Sequence, residues 1–210
     1  MRPYERDPAA IYAASFATVR AEAALDRFPA DVAELAVRVI HACGMVEIAD
    51  RLAFSSDVAA SAVAALRSGA PVYADCEMVA SGITRRLLPD ATDIRCTVND
   101  PRTPGMARDM GTTRSAAAVD LWETEGAIVA IGNAPTALFR LLERLDEGAP
   151  QPAAILAFPV GFVGAAESKA ELADRPRAAP FLTLRGRKGG SAMASAAVNA
   201  VAILAAGGVQ

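Results

Sequence analysis

The sequence predicts an α/β protein: a three-layer α/β/α arrangement around a mainly parallel five-stranded sheet, with extra helices at the N-terminus. Three observations carry this reading. After two N-terminal helical patterns, short β-prone segments alternate with further helical patterns, as βαβ units around a parallel sheet require. The composition is 53% hydrophobic but only 5% aromatic, with alanine supplying much of the apolar count, which suits closely packed helices better than a β-sandwich. The chain of 210 residues is long enough to bury a sizeable core and carries no internal repeat or Pro/Ser-rich linker, so residues 1–210 read as one domain.

Taken in order, the first helical patterns are Pro8–Phe28 and Pro29–Cys43. In the second, Val32, Leu35, Ala36, Val39 and Ile40 recur at spacings of three and four, Asp31 and Glu34 occupy the first turn, and Gly44 follows as a stop signal. Strands are expected at Pro71–Ala74, Asp93–Val98, Ala127–Ile131, Ala153–Phe158 and Phe181–Leu184. Helices are expected at Asp57–Arg67, Glu77–Leu88 with an interruption at Gly82, Ser115–Trp122, Pro135–Leu145 and Ser191–Ala206. The apolar tail from Ala192 to Ala206 falls short of the ~20 residues that span a bilayer and contains Ser195 and Asn199, so it reads as a buried terminal helix rather than a membrane segment. Residues Met1 to Asp7 lack the apolar core of a secretory signal.

Charge and cysteine usage narrow the class. A net charge of −3 argues against broad nucleic-acid binding but leaves room for a local basic pocket. Cys43, Cys76 and Cys96 are odd in number, without CxxC or paired metal-ligand spacing, as expected of reduced thiols in a cytoplasmic protein that holds no metal.

His41 is the sole histidine, so acid–base chemistry near neutral pH by an unperturbed side chain converges on it. At roughly 100° per residue it lies about opposite Val32, off the apolar stripe and near the helix C-terminus. The carbonyl ends there favour a cation and bias the imidazole towards proton donation. The competing reading is a histidine that caps its own helix.

The polar residues that follow the expected strands also concentrate, since ligands of open α/β sheets gather at strand ends. Five loops share that edge: Asp75–Arg86, Asn99–Gly105, Gly132–Thr136, Pro159–Gly164 and Arg185–Ser191. The last is the strongest signal, because its three cations on a glycine-rich backbone before a helix suit anionic oxygens. Arg114, at a helix start, is a second candidate anion contact. Neither GxxxxGK[ST] nor a GxGxxG after a strand is present, so support for a nucleotide enzyme is weak.

The segments Ser15-Phe16 with Arg20 and Glu22, His41-Ala42-Cys43-Gly44-Met45, Asp75-Cys76-Glu77-Met78 and Ser81-Gly82-Ile83-Thr84 run in order towards Thr113-Arg114-Ser115. Ile131-Gly132-Asn133-Ala134-Pro135-Thr136-Ala137-Leu138, Phe158-Pro159-Val160-Gly161-Phe162-Val163 and Arg185-Gly186-Arg187-Lys188-Gly189-Gly190-Ser191 complete the series. Together they resemble the precorrin-8X methylmutase family over nearly the whole chain. The resemblance implies an isomerase of cobalamin biosynthesis that moves a methyl group from C11 to C12 of precorrin-8X to give hydrogenobyrinic acid. The shift is intramolecular, so no methyl donor, metal or other cofactor is implied. His41 stands at the family's His-Ala position, that of the general acid. A flat apolar ring rimmed by carboxylates calls for an apolar slot with cationic, hydroxyl and amide contacts. Ser15, Arg20, Thr84, Arg85, Arg114, Asn133, Arg187 and Lys188 supply those types as substrate-binding candidates. The Cys-Gly-Met after His41-Ala42 resembles the cobalt-free branch of the family. The resemblance further implies a homodimer with its site near the subunit interface, hand-over of product to other corrin-pathway enzymes, and no nucleic-acid or membrane partner.

Two other classes share these residues. A tetrapyrrole carrier would use the same pocket and stop near one equivalent of ligand, and a nucleotide-dependent α/β enzyme would use Arg185–Ser191 as a phosphate loop and be stabilised by nucleotide.

Overall fold

The computed structural model describes Arg2, residues 4–175 and residues 177–208. Helix α1 (Pro8–Glu22) starts at Asp7, whose side chain accepts from Ala9 N, with Pro8 in the first turn where its missing N–H costs nothing. It stops before Phe28, the end expected from sequence. The segment that follows folds back because Arg27 donates to the carbonyls of Ala49 and Leu52, while Phe28 is buried against Phe54 with ring centroids 5.0 Å apart. Helix α2 (Ala30–Cys43) buries the expected stripe together with Val37, and ends at Gly44, whose φ of 69° is the left-handed cap that glycine adopts without a Cβ penalty.

A 3₁₀ segment (Val46–Arg51) leads into strand β1 (Leu52–Phe54) and helix α3 (Val58–Arg67). Next come β2 (Val72–Ala74), α4 (Glu77–Gly82), a 3₁₀ turn (Arg85–Leu87) and β3 (Ile94–Arg95). Helices α5 (Thr103–Asp109) and α6 (Arg114–Val119) precede β4 (Ile128–Ile131) and α7 (Pro135–Asp146). Strand β5 (Ala154–Ala157), α8 (Ala165–Asp174), β6 (Phe181–Leu184) and α9 (Ser191–Ala205) complete the order.

The sheet is ordered β1-β6-β5-β4-β2-β3 and has six strands, one more than the sequence predicts. All pairs are parallel except β1 with β6, where Leu52 faces Leu184 and Phe54 faces Leu182. Along β4, β5 and β2 successive residues alternate between two cores, as the two-residue period of a strand dictates. Val72, Ile128, Ala130 and Leu156 face the cluster built with α2, α3 and α9, whereas Tyr73, Val129, Ile131 and Ile155 face α7 and Trp122. This is the expected three-layer arrangement. No helix among the described residues is long and apolar enough to cross a membrane.

Candidate functional site at the His41 cavity

The order of the strands reverses between β2 and β4, the position where an open α/β sheet leaves a crevice for ligands. Here that crevice is closed by the protein itself. Asp75, directly after β2 and 2% exposed, accepts the backbone N–H groups of Gly132, Asn133 and Ala134 at 2.9, 3.0 and 2.7 Å. Burial raises its carboxyl above the ordinary carboxylate range, and the three N–H bonds pull it back only in part. Gly132 sits so close to α9 that a Cβ would lie 2.7 Å from Ser191 Cα and 2.9 Å from Ala194 Cβ. The Sγ of Cys76 lies 3.6 Å from Ser191 Oγ, and burial raises its thiol out of the reactive range.

The cavity that opens instead, about 710 Å³ in volume, lies between α1, α2, α9 and the turn after α4. Tyr12, Phe16, Leu87 and Ile203 give it apolar walls; Arg20, Arg38, His41, Thr84, Arg86 and Asn199 give it polar ones. His41 is exposed at the last turn of α2, with its ring centroid 4.7 Å from Phe16 and 5.9 Å from Tyr12. The helix end is closed by Gly44, which donates to Ile40, and by Cys43 Sγ on the same carbonyl. The imidazole makes no hydrogen bond among the described residues, so capping does not occupy it, and the side chain lines the cavity.

Positive charge collects on the same wall. Arg20 reaches Glu34 at 2.7 Å, which holds its guanidinium more strongly protonated than usual. Arg38 lies over the Phe16 ring at 4.9 Å, and burial is the main cause that lowers its pKa, with Glu34 opposing and Arg20 adding to the shift. Arg20 and Arg38 thus bring two guanidiniums to the neighbourhood of Glu34 on the wall that carries His41. Asn199 braces the opposite wall: its Oδ1 accepts Thr84 N at 2.8 Å and its Nδ2 donates to Gly82 O at 3.0 Å. Gly82 permits this approach, because a Cβ there would fall 2.5 Å from Ser195 Oγ.

The structure divides the other candidates into three groups. Arg20 and Thr84 line the cavity with His41, and Ser15 is half-buried one residue before Phe16. Arg85 does not line it, because its guanidinium turns away to the carbonyls of Thr92 and Asp90; its neighbour Arg86 does. Arg114, Asn133, Arg187 and Lys188 sit at the strand-end edge. There Arg114 donates to Val98 O and Asn99 Oδ1, Arg187 stacks 5.3 Å over Phe162, and Lys188 pairs with Glu47 at 2.8 Å. Arg38 and Arg86 are cavity residues that sequence reasoning missed. Arg38 was within reach of it, since a residue three before His41 shares its helix face. Which of two adjacent arginines faces a cavity from a 3₁₀ turn has no such signal.

The Phe158–Val163 and Gly186–Gly190 segments form one double loop. Gly190 N donates to Phe158 O at 2.8 Å and Gly161 N to Arg187 O at 3.2 Å, and a Cβ on Gly189 would stand 2.3 Å from Phe158 O. Beneath the loop lies Lys169, with no exposed surface, its Nζ donating to the Lys188 carbonyl. Desolvation lowers this amine from 10.5 to about 8. Among the described residues no three His, Cys, Asp or Glu side chains converge on a metal position.

The family model of precorrin-8X methylmutase (CbiC) matches residues 10–204. A precorrin-8X methylmutase from Sinorhizobium sp is 58% identical over 95% of this chain and 96% of its own length, and that of Pseudomonas aeruginosa is 58% identical over 96% and 98%. A crystal structure described as precorrin-8x methyl mutase from Thermus thermophilus superposes with a TM-score of 0.84 at 35% identity, covering 95% of this chain and all of that one. The chain therefore belongs to the precorrin-8X methylmutase family.

Proposed function

We propose that this chain moves the C11 methyl group of precorrin-8X to C12, giving hydrogenobyrinic acid, with His41 as general acid. The observation that carries this is the placement of the sole histidine, free of hydrogen bonds within the described residues, on an aromatic and guanidinium-lined cavity. A proton or hydrogen bond delivered to a nitrogen of the conjugated ring draws electron density from the migration path, and its return restores the imidazole. The methyl group is moved within one molecule, so the proposed reaction takes no methyl donor or other cofactor. Precorrin-8X, rather than its cobalt complex, is the proposed substrate because both 58%-identical relatives are named for it. Purified protein mixed with precorrin-8X should give the absorbance change of ring rearrangement and hydrogenobyrinic acid; well-folded protein without conversion overturns the reading.

The ring carboxylates need several cations, and a substrate of this size exceeds what one cavity wall covers. We assign Arg20 and Thr84 to the inner contacts with Ser15 beside them, and Arg85 to holding the turn that carries Thr84. Arg114, Asn133, Arg187 and Lys188 take the periphery. Replacing Arg187 and Lys188 together by alanine should weaken corrinoid binding and flatten its salt dependence, because screening acts mainly on exposed charge contacts. Unchanged affinity across a salt titration places both side chains outside the site.

Residues 1–210 act in this proposal as one cytoplasmic domain that pairs into a homodimer and passes its product to other corrin-pathway enzymes. The three cysteines are free thiols, as a reducing compartment maintains them. Phe162 is 85% and Val163 88% exposed at the tip of the double loop, an apolar surface that a partner chain would cover. Light scattering at micromolar concentration should report twice the chain mass, and Phe162→Asp should lower both the dimer population and corrinoid affinity. A fully active monomer contradicts the pairing.

A further inference from the structure

Lys169 occupies a position where the fold asks for an apolar side chain. The inward stripe of α8 is Ala165, Ser168, Lys169 and Leu172, and Lys169 has no exposed surface. Its ammonium forms no ion pair with a carboxylate among the described residues; it donates to the main-chain carbonyl of Lys188. Burying a lysine amine with so little compensation costs stability, and a methionine of similar shape would fill the same space without that cost. What the amine does hold is the middle of the Gly186–Gly190 segment. From outside, that segment is tied to Phe158–Val163 by Gly190 N on Phe158 O and Gly161 N on Arg187 O. From inside, Lys169 fixes the carbonyl between the two cationic residues and the glycine pair. The side chains thereby set are Arg187, stacked on Phe162, and Lys188, turned towards Glu47 after the C-terminus of α2.

We propose that Lys169 is a positioning residue for substrate binding: its buried amine holds the Lys188 main chain so that Arg187 and Lys188 present their charges to the corrinoid carboxylates. The proposal rests on the reading that these two residues meet the ring periphery. Its ligand chemistry is a polycarboxylate, and its effect falls on binding rather than on the methyl shift, since Lys169 does not touch the cavity that holds His41.

Lys169→Met tests it, with Lys169→Arg as the donor-retaining control. Lys169→Met should raise KM for precorrin-8X about tenfold while kcat stays within about twofold. In the ligand-free protein, tryptic cleavage after Arg187 and Lys188 should accelerate about tenfold relative to other sites, because cleavage follows local opening of the loop. Lys169→Arg should recover most of both effects. A folded Lys169→Met protein with wild-type KM and wild-type loop cleavage overturns the proposal, as does equal impairment by Met and Arg, which would mark a packing role. If Lys169→Met does not fold, Lys169→Gln takes its place with the same expectations, its shorter side chain losing the reach to Lys188. The proteolysis needs no turnover, so a wild-type protein that fails to convert precorrin-8X counts against the proposed reaction and not against the loop contact.

Discussion

His41→Ala should fold, bind the corrinoid and turn it over at least about 100-fold more slowly than the wild type, the range in which a positioned general acid contributes. Folding is expected to survive because His41 is exposed and the C-cap of α2 is made by Gly44 and Ile40 rather than by the imidazole. Removal of an exposed side chain away from caps and core changes stability by about 0.5 kcal/mol or less. Binding is expected to survive because the apolar walls of Tyr12, Phe16, Leu87 and Ile203 and the cations Arg20, Arg38 and Arg86 remain in place. The loss therefore falls on kcat. Single-turnover absorbance kinetics with a parallel corrinoid titration separate the two. Near-wild-type turnover would reduce His41 to an aromatic wall residue packed against Phe16.

Much of this was legible in the sequence, and the exceptions have physical causes. The five parallel strands and the helices α2, α3, α7 and α9 are regular enough that periodicity, caps and glycine stops reveal them. Strand β1 is not, because its three residues owe their strand geometry to the edge of β6, more than a hundred positions away in the chain. Helix α5 begins on Thr103-Pro104-Gly105, which reads as a turn, and the inward stripe of α8 is interrupted by Ser168 and Lys169, which hides its period. The site divides similarly. His41 stands out as a unique residue off an apolar stripe. By contrast, the cavity faces the helical layer, and the strand-end edge that the loops pointed to is closed at its centre by Asp75. Only a three-dimensional account of main-chain hydrogen bonds shows that Asp75 is consumed in holding Gly132–Ala134.

That closure leads to the largest expected stability effect. Asp75→Ala removes the side-chain acceptor of three main-chain N–H groups at the junction of β2 and β4, two of which lie on buried residues. A buried donor left without a partner costs about 1–3 kcal/mol, and a bond to an ionised acceptor is stronger than a neutral one. Against this stands relief of the desolvation that raises the Asp75 carboxyl. The losses win because they act on three donors and the relief on one group. A net destabilisation of about 3 kcal/mol or more is expected, roughly 6–12 °C in Tm for a chain of this size. The sign of the pH dependence follows from the same burial. A carboxyl whose folded pKa lies above its unfolded value contributes stability that is fully present below the unfolded value and lost as pH rises through the folded one. Wild-type stability should therefore carry a downward component across that window, and Asp75→Asn, which cannot ionise, should lack it. Urea unfolding across a pH series reads both quantities. A loss under about 1 kcal/mol for Asp75→Ala would mean that the Gly132–Ala134 turn is held by its packing against Ser191 and Ala194 instead.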